Sequence, residues 1–127
     1  MFICPEVLTW CVKFYHIRDP VHGFITIPEE GVLSDLIDTV EFQRLRYIRQ
    51  LGVTYNIYPG AEHSRFFHSL GVAHLAGRMY DAIVADSASV DQEKEKLQIA
   101  ALLHDVGHSP FSHVLEGVLT PDRSHRG

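Results

Sequence analysis

Two apolar stretches of this 127-residue sequence are interrupted by residue types that bind metal ions. His104 and Asp105 directly follow the apolar residues 99–103, and His108 comes three positions further on. His68 interrupts a second apolar stretch, 36 residues before His104. Neutral imidazole nitrogen and anionic carboxylate oxygen form a donor set that suits a divalent transition metal better than calcium. These residues therefore indicate a metal site.

The spacing around His104 predicts that the histidines continue the buried face of a helix. The positions recur at intervals of four, three and four residues: Leu97, Ala101, His104 and His108. Adjacent helical residues point about 100° apart, so His104 and Asp105 can share one ion only at the end of a helix. Gly107 and Pro110 are typical of such an end. The alternative is a hydrogen-bonded polar pair at a helix C-terminus, without a metal.

His68 lies on the second predicted helix, for which Ser64 is a suitable N-cap. One face of that helix is predicted to be apolar and to contain His68, Val72, Leu75, Met79 and Ile83. A buried imidazole needs a polar partner, which is either a backbone carbonyl or a metal. Together with His104 and Asp105, a three-ligand set from two helices is the better explanation.

Four segments of the sequence contain the residues discussed above and further polar motifs: Asp19-Pro-Val-His-Gly23, Asp38-Thr-Val-Glu-Phe-Gln43-Arg44-Leu-Arg46, Arg65-Phe-Phe-His68-Ser-Leu-Gly71-Val and His104-Asp-Val-Gly-His108-Ser-Pro-Phe-Ser-His113. With these motifs the sequence resembles the HD-domain deoxynucleoside triphosphate triphosphohydrolases. The resemblance extends from about Ile17 to about His125, with the motifs in the family's order, and it covers the front part of that family's catalytic domain.

The resemblance implies a ligand set for a divalent ion, which is Fe, Mn, Zn or Mg: His68, His104 and Asp105. It also implies that Arg65 contacts the substrate near its phosphates and that Gln50 and Leu51 touch the sugar and base. The implied reaction is hydrolysis at the α-phosphorus of a deoxynucleoside triphosphate such as dGTP, which releases a deoxynucleoside and triphosphate.

Further roles follow from the same resemblance. The catalytic candidates, which act around the triphosphate or in proton donation, are His108, His113, Glu116 and His125. The candidates for a regulatory nucleotide surface are Asp38, Gln43 and Arg46. Homo-oligomers are implied as well, because nucleotides bind at subunit interfaces in the family.

The C-terminal end departs from the family pattern. The family completes its metal site with a second aspartate far downstream, and it usually places Glu after the histidine that His125 matches, where this sequence has Arg126. We therefore expect residues 1–15 to be an N-terminal extension and residues 16–127 to be a partial HD domain, truncated before the last ligand. Two alternatives stay open, namely a noncatalytic fragment or regulatory subunit that binds nucleotide or metal, and an HD phosphohydrolase for another nucleotide.

The composition of the sequence limits the possible binding partners and the cellular compartment of the protein. A net charge of -5 argues against broad binding of nucleic acid, because a phosphate backbone requires a basic surface. Cys4 and Cys11 are too few and too close to indicate a secreted disulfide framework, so we expect a reduced, cytoplasmic setting. Residues 1–13 lack a basic start and contain Pro5 and Glu6, which predicts neither a signal peptide nor a membrane span.

The predicted fold class is all-α, a mainly helical HD-domain fold with one or two short β segments near the N-terminus. Strands are predicted at residues 24–27 and 53–58, which could pair. Helices are predicted at 28–37, 38–52, 65–85, 92–105 and 111–119, with Asp38 and Glu41 forming a capping box. Gly71 and Gly77 predict close packing along the helix at 65–85.

Overall fold

A β-hairpin begins the part of the chain that the computed structural model describes, which comprises residues 14–84 and 90–111. Strand β1, Phe14–Asp19, pairs antiparallel with β2, Gly23–Pro28. The turn is closed by the Asp19 carboxylate, whose Oδ1 accepts hydrogen bonds from the backbone N–H groups of Val21 and His22, both at 2.8 Å. This Asx-type turn and the positive φ of Gly23, 78°, reverse the chain.

The predicted strand at 24–27 is confirmed inside β2, but its partner is β1 and not residues 53–58. The prediction of a strand at 53–58 is wrong, because this segment forms turns and a 3₁₀ helix, Thr54–Asn56. Three of its N–H groups bond within the segment, including that of Ile57 to the Thr54 carbonyl at 3.0 Å. A short β-branched run forms a strand only where a neighbouring strand takes its backbone groups.

The helices that follow the hairpin are shorter than predicted. Helix α1, Val32–Ile37, begins after Pro28, which still pairs with Phe14 in the sheet. Helix α2, Val40–Gln43, is capped by Thr39, whose Oγ1 accepts from the N–H of Phe42 at 3.3 Å. The predicted capping box is therefore wrong by one residue, and Asp38 is instead the C-cap of α1.

The predicted helix at 38–52 ends early. Helix α2 continues as a 3₁₀ helix, Arg44–Tyr47, and the chain then becomes extended. Gln50 N–H bonds to the His63 carbonyl at 3.0 Å, and Arg65 N–H bonds to the Ile48 carbonyl at 2.8 Å. These long-range bonds take the place of the helical ones, and Gly52, with a φ of 56°, turns the chain beyond them.

Two long helices form most of the remaining structure. Helix α3, Arg65–Ile83, begins after the N-cap Ser64 as predicted and packs against α4, Val90–Leu103. A Cβ on Gly77 would lie 2.5 Å from Gln98 Nε2 of α4, and one on Gly71 would lie 2.9 Å from His22 Nε2 of the hairpin turn. The predicted close packing at both glycines is confirmed.

The buried faces of α3 and α4 differ from the predicted ones. The buried apolar residues of α3 are Phe66, Leu70 and Ala73, whereas Met79 and Ile83 are 62% and 76% exposed. On α4, Leu102 is fully buried and Leu97 is 42% exposed. The predicted faces consist of apolar residues and histidines. The two helices nevertheless pack against each other through faces next to the predicted ones.

The hydrophobic core joins the hairpin, the short helices and the two long helices. Its largest members are Ile27, Phe42, Leu45, Phe66 and Leu102. The structure confirms a mainly helical fold with a short β segment near the N-terminus. Within the described ranges, no helix combines the length and apolar composition needed to cross a bilayer. Apart from Phe111, the predicted helix at 111–119 lies outside the described residues.

Candidate metal centre

The first turn of α3 and the turn that follows α4 bring together His68, His104 and Asp105. Their donor atoms all lie within 4.8 Å of one another. The rings of His68 and His104 have centroids 5.3 Å apart and an interplanar angle of 64°. Within residues 14–84 and 90–111, this is the one group of three or more His, Cys, Asp or Glu residues with such convergence.

Asp105 is 5% exposed and is fixed by a buried arginine. Arg65, the first residue of α3, donates a hydrogen bond from Nη1 to Asp105 Oδ2 at 2.7 Å. Burial by itself raises the pKa of Asp105, but the hydrogen bond and charge of Arg65, with His104 and His108 nearby, outweigh it. The pKa of Asp105 therefore lies below its usual range, and the carboxylate is ionised as a metal ligand must be.

Each of the two histidines has a ring nitrogen in the cluster. His104 Nδ1 lies 2.7 Å from the Ala101 carbonyl, which can only accept, so Nδ1 donates this hydrogen bond and Nε2 is the nitrogen left for a metal. That Nε2 lies 3.7 Å from Asp105 Oδ1. The pKa of His68 is lowered, chiefly by burial, although Asp105 opposes the shift. Burial therefore favours the neutral form of His68, and the hydrogen bond to Ala101 leaves Nε2 as the His104 nitrogen that faces the cluster.

A divalent ion fits this donor set. Metal–ligand distances of about 2.1 Å place the donors of a tetrahedral ion between about 3 and 4 Å apart. From the observed upper limit of 4.8 Å, the donors would have to approach one another by about 1 to 2 Å on binding the ion. Three protein ligands with one anionic member, completed by water, are typical of catalytic zinc sites. The donor chemistry and the spacing therefore both suit a divalent metal.

The turn that carries His104 and Asp105 is not formed as the sequence predicted. We expected Gly107 and Pro110 to end the helix, but α4 ends at Leu103, and Gly107 does not have a positive φ. Hydrogen bonds from Val106 N–H to the Leu103 carbonyl and from His108 N–H to the Asp105 carbonyl, both 3.1 Å, form the turn. His104 is accordingly exposed and Asp105 is buried, the reverse of the predicted face for His104.

Arg44 contacts this turn, and the sequence did not predict that contact. Its Nη2 donates hydrogen bonds to the carbonyls of Val106 and His108, at 2.5 and 3.0 Å. Arg44 is 62 residues from Val106 and belongs to the basic run 44–49, so no local pattern distinguishes it from its neighbours. The contact follows only from tertiary packing.

One predicted catalytic residue lies beside the cluster. His108 is half-buried, and its Nδ1 lies 3.4 Å from Asp105 Oδ1. His113, Glu116 and His125 lie outside the described residues, so their roles stay predictions.

The three predicted substrate residues are placed differently. Arg65 is buried against Asp105, and its contact with a phosphate stays a prediction. Gln50 is half-buried, and its Oε1 has no hydrogen-bond partner among the described residues, whereas Leu51 is exposed. Both adjoin the extended segment that pairs with the start of α3.

The predicted regulatory residues form a second group. Gln43 accepts a hydrogen bond from Arg46 Nε at 2.6 Å and donates one from Nε2 to the Ile37 carbonyl at 2.8 Å, next to Asp38. The Arg46 guanidinium lies over the Phe66 ring, 3.6 Å from its centroid. Arg46 and His68 both line a cleft of about 760 Å³ between the hairpin turn, residues 60–64 and α3.

Comparisons with known proteins agree with the geometry. Residues 65–125 match the HD domain. Over 108 residues, the chain is 48% identical to deoxynucleoside triphosphate triphosphohydrolase SAMHD1 of Homo sapiens, which covers 83% of this chain and 17% of that protein. Over 106 residues it is 50% identical to the uncharacterized protein YwfO of Bacillus subtilis, covering 83% of this chain and 24% of that protein.

Two solved structures are similar to most of this chain. A hypothetical protein from Aquifex aeolicus gives a TM-score of 0.72 at 43% identity, covering 89% of this chain and 28% of that chain. A phosphohydrolase from Bacteroides thetaiotaomicron gives a TM-score of 0.72 at 45% identity, covering 82% and 26%. The chain thus spans less than a third of each of these relatives.

Proposed function

Because the chain belongs to the HD-domain family, we propose that it contributes the metal centre of a hydrolase that cleaves deoxynucleoside triphosphates to a deoxynucleoside and inorganic triphosphate. One observation supports this proposal above all: the donor atoms of His68, His104 and Asp105 converge within 4.8 Å. The identity of 48% to a triphosphohydrolase supports a deoxynucleoside triphosphate as the proposed substrate, and dGTP is the first substrate to test.

His68, His104 and Asp105 would hold a divalent Fe, Mn, Zn or Mg ion. When bound, such an ion lowers the pKa of a water molecule and polarises a phosphoryl oxygen. Arg65 holds the Asp105 carboxylate in one orientation. The Ala101 carbonyl fixes the His104 ring so that Nε2 is available.

The same residues suggest how substrate is bound and protonated. A triphosphate carries about four negative charges and requires several cationic partners, for which we propose Arg65 at the metal side of the site. Gln50 and Leu51 are proposed contacts to sugar and base. His108, held near Asp105, is a proposed proton donor for the departing 5′-oxygen, with His113, Glu116 and His125 as further candidates.

Two further assignments belong to this proposal. Asp38, Gln43 and Arg46 form a proposed regulatory nucleotide surface, supported by the contact between Gln43 and Arg46. Homo-oligomers are proposed on the family resemblance alone. We also propose residues 16–127 as the part of the chain that belongs to the HD domain.

The test is to measure metal content and reaction products on the same preparation. The 127-residue chain is purified and bound iron, manganese, zinc and magnesium are quantified. It is then incubated with dGTP and Mn²⁺, and deoxyguanosine and triphosphate are separated by ion-exchange chromatography. We expect both products in equal amounts, and no bound metal or product from His68→Ala. The matched control is Tyr47→Ala, at an exposed position, which should retain both the bound metal and the product.

The other outcomes distinguish the alternatives. Bound metal without any nucleotide hydrolysis would favour a noncatalytic nucleotide- or metal-binding role. Release of phosphate or pyrophosphate, or hydrolysis of a different nucleotide in a panel of monophosphates, cyclic nucleotides and ribonucleotides, would favour another HD phosphohydrolase. If the chain contains no bound metal and releases no product, the proposed metal centre is refuted.

A further inference from the structure

We propose that Arg44 is a positioning residue for the metal centre, an inference that rests on the proposed ligand role of His104 and Asp105. Arg44 touches neither ligand side chain in the described contacts. Its Nη2 instead donates to the backbone carbonyls of Val106 and His108, directly after the two ligands. Arg44 therefore restrains the backbone of the turn and not the ligand side chains themselves.

The carbonyls of Val106 and His108 lie beyond Leu103, the last residue of α4, so no N–H group of that helix bonds to them. Folded proteins normally pair their backbone carbonyls, and here the partner must come from outside the helix. Beyond Leu103, only two backbone hydrogen bonds described here close the turn, from Val106 and from His108. Gly107 lies between these residues without a side chain and outside the left-handed region. A cation that bonds to both carbonyls restrains the one flexible residue between them.

The guanidinium group suits this geometry. One nitrogen, Nη2, carries two N–H groups, so it can bond to the carbonyls of residues 106 and 108 on both sides of Gly107. A positive charge near a helix C-terminus is also favourable. Arg44 supplies the charge and the two donors from a single side chain.

The base of the Arg44 side chain is itself fixed. Arg44 begins the 3₁₀ helix, and its N–H bonds to the carbonyls of Val40 and Phe42. Phe42 and Leu45, on either side of it in the chain, are fully buried in the core. Arg44 therefore ties the ligand-bearing turn to the core, and a metal site requires its ligands to be held within about 0.5 Å.

Metal binding by the unmodified chain and two variants tests this role. Arg44→Met keeps the apolar stem and removes the donors, and Arg44→Lys restores a charge and donors with a different reach. Arg78, which is exposed on α3, provides matched controls as Arg78→Met and Arg78→Lys. Co²⁺ is the probe, because its visible spectrum reports both affinity and coordination.

We expect Arg44→Met to weaken Co²⁺ binding about tenfold and to change the intensity of the visible bands, in line with losses seen for residues that orient metal ligands. Arg44→Lys should bind with intermediate affinity, and both Arg78 variants should bind as the unmodified chain does. A purely structural role would lower the melting temperature without changing the spectrum of the bound ion.

The outcomes separate this inference from the proposed function. An unmodified chain that binds no Co²⁺ refutes the metal centre and, with it, the role of Arg44. Binding by the unmodified chain and equally tight binding by Arg44→Met refutes the role of Arg44 alone. If Arg44→Met does not fold, as judged by circular dichroism, Arg44→Lys decides: binding as tight as that of Arg78→Lys overturns the inference.

Discussion

At two places along α3, a histidine of the helix lies near a second histidine and a buried aspartate. Only one of the two groups brings three possible metal donors close together. Near the start of α3, His68 lies with His104 and Asp105. Further along, His74 lies with His22 and Asp19 from the hairpin turn, with the two rings 5.8 Å apart. The two aspartates are similarly buried, 5% exposed for Asp105 and 7% for Asp19. Residue types alone do not distinguish these groups.

The difference lies in the partners of each carboxylate. Asp19 Oδ1 is bonded to two backbone N–H groups of its own turn, so this carboxylate shapes the hairpin. Asp105 Oδ2 is bonded to Arg65, while Oδ1 lies 3.4 Å from His108 and 3.7 Å from His104. An aspartate becomes a ligand candidate where one of its oxygens faces other donors.

Removing the charge of Asp105 should have the largest effect. Asp105→Asn leaves the buried Arg65 without its counter-charge, and breaking a buried pair from one side costs about 3 kcal/mol. Metal affinity should also fall about a hundredfold or more. Urea unfolding and Co²⁺ titration measure both. Asp19→Asn is the matched control, because its amide oxygen can still accept the turn hydrogen bonds; equal losses in both variants would remove the distinction between the two groups.

Truncation of Asp19 should separate stability from metal binding. Asp19→Ala removes both hydrogen bonds of the hairpin turn and leaves two backbone donors without this acceptor, a loss of about 2 kcal/mol. Co²⁺ affinity should not change in the folded variant. A fall in affinity comparable to that of Asp105→Asn would show that the two groups act as one site.

Crowding of the contact between the hairpin turn and α3 should have a smaller effect. In Gly71→Ala, the new methyl group would lie 2.9 Å from His22 Nε2, so the ring must move, and this cost of about 1 kcal/mol offsets the helix propensity gained by replacing a glycine inside α3. Gly60→Ala is the control, since nothing lies within 4 Å of its added Cβ. His22→Ala should relieve the cost of Gly71→Ala in a double-mutant cycle; strict additivity of the two changes would argue against this contact.

The smallest effect concerns pH. Burial, with the charges of His22 and Arg78, lowers the pKa of His74 below its usual value, while Asp19 opposes the shift. The folded chain therefore binds fewer protons than the unfolded chain as the pH falls below about 6.5, and His74 destabilises the fold there but not above. Wild type should lose more stability than His74→Gln between pH 7.5 and 5.5 in urea unfolding. Equal losses would contradict the shift.

The sequence was sufficient where the signals are local or strongly periodic. It predicted the start of α3 at Ser64, the strand within β2 and the close packing at Gly71 and Gly77. It failed for residues 53–58, whose β-branched run has no neighbouring strand. It also failed for the end of α4, because the turn there is held partly by Arg44 from a distant segment.

Short segments were enough to predict the mainly helical class and the residue types of the proposed metal centre, because helical periodicity and donor chemistry are local properties. Tertiary packing selected the buried face of α3 and α4, since Phe66 and Leu102 are buried while Met79 and Leu97 are exposed. It also decided that the Asp105 oxygens face Arg65 and the histidines, whereas Asp19 closes a turn. Such choices depend on partners many residues away, which spacing along one segment does not specify.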